Sequence, residues 1–172
     1  MKTFLSLTAT LFLTACLTSA RGQALKAVAE VKPLKDSGVS GTVTFTKEAE
    51  GIHVVAEIKG LTPGQHGFHI HENGECTDPE GKSAGGHFNP TKMPHAGPDA
   101  EQRHAGDLGN LNADEHGVAK LDVVDKHFAL EGENSILNRS VIIHAKPDDY
   151  KSQPAGESGA RIACGTIKAE AK

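Results

Sequence analysis

The sequence is poor in aromatic side chains and in clustered basic charge. It has no Trp, one Tyr and 4% aromatic residues, so its ten histidines are the main source of ring chemistry. Lys and Arg are scattered and the net charge is -4, which argues against a nucleic-acid partner. The apolar run from Phe4 to Leu13 is too short to span a bilayer. At 172 residues, one globular domain with an N-terminal extension is expected.

The N-terminus has the pattern of an export signal. A basic start at Lys2, the apolar run and the small residues that follow predict a signal and short tether over residues 1–24 and a folded domain over 25–172. The segment LTAC, ending at Cys16, resembles a bacterial lipobox, which predicts cleavage before Cys16 and its lipidation. Ordinary cleavage after Ala20 or Ala24 is the alternative. We expect a protein of the periplasm or cell envelope whose one membrane contact is the Cys16 anchor.

The three cysteines leave an odd number for an exported protein. Lipidation of Cys16 accounts for one of them. Cys76 and Cys164 then remain as a pair that can form a disulfide in an oxidising compartment. Two buried free thiols are the alternative.

Short β-rich runs separated by turn residues dominate the rest of the chain, and no helical period of useful length is present. The runs cover 27–31, 39–45, 52–58, 67–71, 118–124, 127–130, 140–145 and 160–167. This pattern predicts a β-sandwich or barrel. A segment rich in Gly, Pro, Asn and Asp extends to about residue 112, and a loop of that length is usually functional or disordered.

Metal-binding side chains concentrate in and around this long segment. His69 and His71 alternate in a strand and therefore share one face. The loop supplies three imidazoles and one carboxylate, the donor number that zinc accepts, from His87, His95, His104 and Asp107. His144 ends a further apolar run. Each position has a simpler explanation alone, as a solvated or strand-end residue, but together they indicate a metal site.

The motifs GFHIHE, GGHFNP, H-x8-H-x2-D running into GDLGN, VIIHAKPDD and GARIACG occur in this order. Over residues 25–167 the chain thus resembles the copper,zinc superoxide dismutase family. The resemblance implies a Greek-key β-sandwich or flattened eight-stranded barrel with long metal-binding and electrostatic loops. It also implies one copper and one zinc ion per subunit, and an antioxidant enzyme of the cell envelope that converts superoxide to oxygen and hydrogen peroxide.

The resemblance also assigns roles to single residues. Copper would be held by His69, His71, His87 and His144. Zinc would be held by His87, His95, His104 and Asp107. His87 would bridge the ions and carry a proton, Arg161 would guide the anion, Asp148 would link the two sites, and Cys76 and Cys164 would form the disulfide. A solvated turn residue is the alternative for Asp148.

Other features leave alternatives open. The spacing around Cys76 looks bacterial, and the polar chain end at 166–170 leaves both a monomer and a homodimer possible. Lys151 is a candidate steering lysine, with a solvated surface residue as the alternative. Four further histidines are interpreted as surface or strand residues, with a role in copper uptake as the alternative for His66: His53, His66, His116 and His127. A copper-storage or delivery module and an envelope structural protein are the competing function classes.

Overall fold

The structure, a computed structural model, describes residues 26–170, so the export signal and Cys16 lie outside the described residues. The strands are β1 (Lys26–Pro33), β2 (Ser40–Lys47), β3 (Ile52–Lys59), β4 (Gly64–His71), β5 (Asp107–Ala113), β6 (Ala119–Asp125), β7 (Ser140–His144) and β8 (Arg161–Ala169). A short 3-10 helix occupies Lys82–Ala84. Within residues 26–170, none of the helical structure has the length and hydrophobicity needed to cross a membrane.

The eight strands form a closed antiparallel barrel in the order β1-β2-β3-β6-β5-β4-β7-β8. The chain crosses from β3 to β4 and later from β6 to β7, which is Greek-key connectivity. β5 and β6 are paired only between Ala113 and Ala119, so the barrel is nearly open along that line. The predicted eight-stranded Greek-key fold is confirmed.

Alternation along the strands builds the core. In β1 the side chains of Ala27, Ala29 and Val31 are buried, whereas Glu30 and Lys32 are exposed. Such alternation places every second residue inside the barrel. Full burial of a large aliphatic or aromatic core residue contributes about 1.5–3 kcal/mol. The barrel thereby provides a rigid frame for the loops that connect its strands.

The strand prediction was wrong in two places. Residues 107–112, predicted as loop, belong to β5, which pairs with β4 from Gly64↔Ala113 to His69↔Asp107. The Gly and Asn residues of this segment favour turns locally, but pairing with β4 and burial of Leu108 and Leu111 outweigh that preference. Residues 127–130, predicted as a strand, make only one isolated bridge, Ala129↔Ser135, although Phe128 packs edge-on against Phe45 in the core.

Two long connections position the candidate site. One runs over residues 72–106 between β4 and β5, and the other over 145–160 between β7 and β8. A disulfide between Cys76 and Cys164 ties the first connection to β8 across a sequence separation of 88 residues. The predicted pairing is therefore present, and the free-thiol alternative is wrong.

Candidate metal centre

The predicted donor side chains converge into two adjoining sets that share His87. The four-histidine set comprises His69, His71, His87 and His144. The mixed set comprises His87, His95, His104 and Asp107. In each set the donor atoms lie within 4.8 Å of one another, and every member is buried. The structure thus brings together all seven ligand candidates.

Strand geometry positions the donors at the edge of the barrel. His69 and His71 lie on one face of β4. Phe68, which precedes them, and Ile70, which lies between them, are fully buried in the core. β7 pairs with β4 through Phe68↔Ile143, so His144 at the end of β7 comes close to His69. Their ring centroids lie 5.0 Å apart.

The position of His87 depends on backbone pairing outside the main strands. His71 and His87 form an isolated antiparallel bridge. The amide of Phe88 donates to the carbonyl of Ile70 at 2.8 Å, and that of Gly106 donates to the carbonyl of Phe88 at 2.9 Å. The segment around His87 is therefore inserted between the end of β4 and the residue before β5. This insertion brings His87 within reach of both donor sets.

Hydrogen bonds fix which nitrogen each histidine presents in the four-histidine set. His71 Nδ1 donates to the carbonyl of Gly85 at 2.9 Å, and His144 Nδ1 donates to that of Gly159 at 3.2 Å. His69 Nε2 donates to Asp148 Oδ2 at 2.7 Å. The other ring nitrogens, His69 Nδ1, His71 Nε2 and His144 Nε2, are buried without a hydrogen-bond partner, as is His87 Nε2. Buried polar atoms normally have partners, so these four nitrogens fit a bound metal ion.

In the mixed set, three imidazole nitrogens surround one carboxylate oxygen. Asp107 Oδ1 lies 2.8 Å from His87 Nδ1, 3.0 Å from His95 Nδ1 and 3.3 Å from His104 Nδ1. His95 Nδ1 is close enough to form an ion pair but is not aligned for a hydrogen bond. Three nitrogens and one oxygen form the donor set typical of zinc.

Burial and hydrogen bonding set the charge state of the donors. Burial lowers the pKa of His87 to about 4, even though the hydrogen bond with Asp107 raises it. Burial also lowers the pKa values of His71 and His144 well below 6.5, with a smaller contribution from the nearby charge of Arg161. These imidazoles are therefore neutral at neutral pH, as metal binding requires.

In the mixed set, the pKa of His95 is raised and not lowered. Burial lowers the pKa of His95, but its contacts with Asp107 and Asp148 outweigh burial and raise that pKa to about 9. Burial raises the pKa of Asp107, yet the close imidazoles of His104, His87 and His95 hold it far below its usual range. Asp107 is thus anionic and balances the positive charge that gathers at this set.

Asp148 connects the two sets. Its Oδ2 atom accepts from His69 Nε2 at 2.7 Å, and its Oδ1 atom accepts from His95 Nε2 at 2.9 Å. The carboxylate is buried, and the amide of Tyr150 and the side chain of Asn110 further hold the turn that carries it. The structure therefore places Asp148 where the sequence predicted a linking carboxylate, and it is not a solvated turn residue.

Arg161 lies beside the four-histidine set. Its Nη1 atom donates to the carbonyl of Gly81 at 2.5 Å, and its Nη2 atom donates to that of Gly85 at 2.6 Å. The Gly85 carbonyl also accepts from His71, so the guanidinium and His71 share one acceptor. The half-buried cation is therefore held next to a candidate ligand by the loop that the disulfide closes.

Two residues that support the site carry no recognisable motif in the sequence. Arg103, 3% exposed, donates to the carbonyl of Asp107 at 2.9 Å and pairs with Asp125 Oδ2 at 2.5 Å. Gln153 bonds to both backbone polar atoms of His95. Both residue types are usually solvated, so neither carried a signal in the sequence.

The remaining predicted residues lie outside both sets. His53 pairs with Glu48 and Asp122 on the surface of β3, and His116 is in an exposed turn. His66 is in β4, as predicted, but it is buried. Its Nδ1 atom donates to the carbonyl of His144 at 2.8 Å, so it supports a ligand instead of facing solvent. Lys151 is exposed, and its role as a steering lysine stays a prediction.

His127 bonds to the same acid that pairs with the buried arginine. Its amide donates to Asp125 Oδ1 at 2.7 Å, and its Nδ1 atom lies 3.0 Å from Arg103 Nη2. It is half-buried in a bend after β6, so it lies outside any strand although a strand was predicted over 127–130. This histidine therefore belongs to the support beneath the mixed set.

Comparison with known proteins agrees with this geometry. The copper/zinc superoxide dismutase (SODC) family model matches residues 39–167. Superoxide dismutase [Cu-Zn] 3 of Arabidopsis thaliana is 45% identical over 139 residues, which cover 77% of this chain and 84% of that protein. The crystal structure of the clock protein EA4 matches with a TM-score of 0.79 and 37% identity, covering 86% of this chain and 96% of that one.

Proposed function

Because the chain belongs to the copper/zinc superoxide dismutase family, we propose that its two donor sets hold one copper and one zinc ion that share His87. As a member of that family it is a superoxide dismutase. Copper fits the four-histidine set and zinc fits the mixed set. The observation that carries this division is the set of four unpartnered nitrogens in the all-imidazole half, next to a half built around one carboxylate oxygen.

When bound, copper supplies one-electron redox chemistry, by which one superoxide is oxidised to oxygen and a second, with two protons, is reduced to hydrogen peroxide. Zinc has no redox chemistry. The residues around the metals then have to bind the anion, orient the ligands and deliver protons. Three side chains are assigned to this work: His87, Arg161 and Asp148.

His87 is the proposed proton carrier. Its Nδ1 atom is directed at Asp107, whereas its Nε2 atom is buried and faces the four-histidine set. A proton taken up at Nε2 would lie on the side where the anion reacts. From that position the ring could pass the proton to the reduced anion as a positioned general acid.

Arg161 is the proposed docking site for superoxide. Its guanidinium uses Nη1 and Nη2 to bond loop carbonyls, which fixes the cation close to His71. A fixed cation at a half-buried position attracts a small anion from solution and can orient it. The carbonyls of Gly81 and Gly85 therefore determine where the substrate binds.

Asp148 is the proposed orienting carboxylate for both metals. It accepts from one ligand of each set, which fixes His69 to present Nδ1 and His95 to present Nδ1. Carboxylates that orient ligating histidines typically change metal affinity by about 10- to 100-fold when removed. Asp148 would thus couple the geometry of the copper half to that of the zinc half.

The proposed site of action is the cell envelope. Support comes from the N-terminal sequence alone, where an export signal precedes the LTAC motif. Mass spectrometry of the mature protein should find an N-terminal acylated Cys16. An unmodified N-terminus downstream of residue 16 would contradict the lipid anchor while leaving export intact.

Metal analysis of three histidine variants tests the division of the ligands. His71→Ala should lose copper and superoxide removal but keep zinc, because His71 belongs only to the four-histidine set. His104→Ala should lose zinc first, since it belongs only to the mixed set. His116→Ala, in an exposed turn, is the matched control and should keep both metals and full activity. Loss of zinc instead of copper from His71→Ala would refute the assignment.

A further inference from the structure

Gln153 bonds to His95 in a way that replaces a missing strand partner. The His95 amide donates to Gln153 Oε1 at 2.8 Å, and Gln153 Nε2 donates to the carbonyl of His95 at 2.8 Å. Exchange of one donor and one acceptor is how residues of adjacent antiparallel strands pair. His95 lies in an irregular part of the loop, outside every strand. The side-chain amide therefore satisfies backbone groups that have no strand neighbour.

The same connection also holds the ring of His95. Asp148 Oδ1 accepts from His95 Nε2 at 2.9 Å. Gly156, at φ +62°, lies so close that a Cβ atom there would come within 1.9 Å of Asp148 Oδ1 and 2.8 Å of His95 Nε2. Only glycine leaves room for this contact. Backbone and imidazole of His95 are thus both fixed by residues 148–156.

A third contact joins the two connections next to His95. A Cβ atom on Gly97 would lie 3.1 Å from the Tyr150 ring, so the absence of a side chain at Gly97 lets that ring pack against the backbone. Asp148, Tyr150, Gln153 and Gly156 therefore form one contact surface against residues 95–97. All four of these residues belong to the connection over 145–160, which leads into β8 at Arg161.

We propose that Gln153 is a positioning residue for zinc, which fixes the backbone of His95 and thereby sets its Nδ1 atom for the ion. The inference rests on the proposed assignment of zinc to the mixed set. The amide orientation follows from the partners, because Oε1 can only accept from the His95 N–H and Nε2 can only donate to its carbonyl. Gln153 does not touch the ion or the substrate. It belongs to neither donor set and acts on the ion through His95.

Zinc release from the copper- and zinc-loaded protein tests the proposal. Gln153→Leu keeps the side-chain bulk but removes both hydrogen bonds to His95, together with the longer one from Nε2 to the carbonyl of Lys151 at 3.2 Å. It should release zinc to a chromogenic chelator about tenfold faster than the wild type or more. Gln153→Glu keeps the acceptor and loses the donor, so its rate should fall between them. Gln102→Ala, at an exposed glutamine in the same zinc-binding connection, is the matched control and should release zinc at the wild-type rate.

Hydrogen exchange of the His95 amide in chelator-treated protein supplies a readout that does not need metal or activity. The amide should be protected in wild type, Gln102→Ala and Gln153→Glu, and should exchange at least about tenfold faster in Gln153→Leu. Equal protection in Gln153→Leu, or zinc release within about twofold of wild type, would overturn the proposal. A wild-type protein that binds no zinc would instead refute the zinc assignment, and this would be seen before any variant is compared.

Discussion

Removal of the disulfide offers the sharpest test of how the barrel supports the site. The bond joins Cys76 in the long connection before β5 to Cys164 in β8. Cys164 packs in a small apolar cluster with Leu34, Ala84 and Ile142, and Cys76 lies half-buried at its edge. The double variant Cys76→Ser with Cys164→Ala removes the crosslink while keeping the side-chain volumes close to the original.

The expected cost follows from the length of chain that the bond closes. The bond closes a loop with a sequence separation of 88 residues. Without it, the unfolded chain gains conformational entropy, which lowers its free energy by about 4–5 kcal/mol at 25 °C. Few single changes in a domain of this size cost as much. The free energy of unfolding should therefore drop by a large share of its total.

Urea unfolding, followed by circular dichroism on chelator-treated protein, measures this cost without a contribution from metal binding. With an m-value of about 2 kcal/mol per M, the midpoint should fall by about 2 M. Wild type in excess reductant is the internal control and should approach the double variant. The single variant His116→Ala should unfold at the wild-type midpoint.

A loss below about 1 kcal/mol would refute the chain-entropy reasoning. It would mean that other contacts already restrict the chain between Cys76 and Cys164 in the unfolded ensemble, or hold this part of the chain in place in the native state. Two such native contacts are the bond from Ser140 Oγ to the carbonyl of Asn73 at 2.7 Å and the bond from Arg161 to Gly81. A folded but inactive double variant would in turn show that the bond positions Arg161.

Three further perturbations test the reasoning at separate points. Replacing Arg161 with Gln should lower the rate of superoxide removal at least about tenfold and weaken its dependence on ionic strength, and an unchanged rate at low salt would remove Arg161 from the mechanism. Replacing Asp125 with Asn leaves the buried charge of Arg103 unpaired and should cost about 3 kcal/mol in urea unfolding, whereas a cost under about 1 kcal/mol would show that the carbonyl bonds of Arg103 suffice. Chelator-treated protein should lose stability as the pH falls from 6.5 towards about 4, because His87 binds a proton more readily unfolded than folded, and thermal melts that do not change over this range would contradict its lowered pKa.

The ligands could be predicted from the sequence because metal chemistry accepts few residue types. Three imidazoles and one carboxylate in one segment match the donors that zinc accepts, so His87, His95, His104 and Asp107 stood out together. For His69 and His71, strand alternation predicted a shared face, and the structure places both on one face of β4. Motif order added the division into two sets, which periodicity alone does not contain.

The misassigned strand shows the limit of local patterns. Residues 107–113 combine Gly109, Asn110 and Asn112, which favour turns, with Leu108 and Leu111, whose spacing of three does not alternate. Pairing with β4 overrides both signals, and Gly109 adopts a φ of +86° within the strand. The information that makes this segment a strand lies in β4, about 40 residues earlier, and no window along the chain contains it.

The contacts that orient the ligands were harder to predict for a different reason. Asp148, His66, Arg103 and Gln153 act by hydrogen bonds between segments, and three of those four residue types are mostly solvated elsewhere. Asp148 was found through its motif, whereas Gln153 has none. Its partner His95 is 58 residues away, and their pairing depends on the path of two irregular connections. A ligand is restricted by the ion it binds, but a supporting residue needs only one donor or acceptor in the right place, which many side chains can supply. Support around a metal site is therefore where a structure adds most to a sequence.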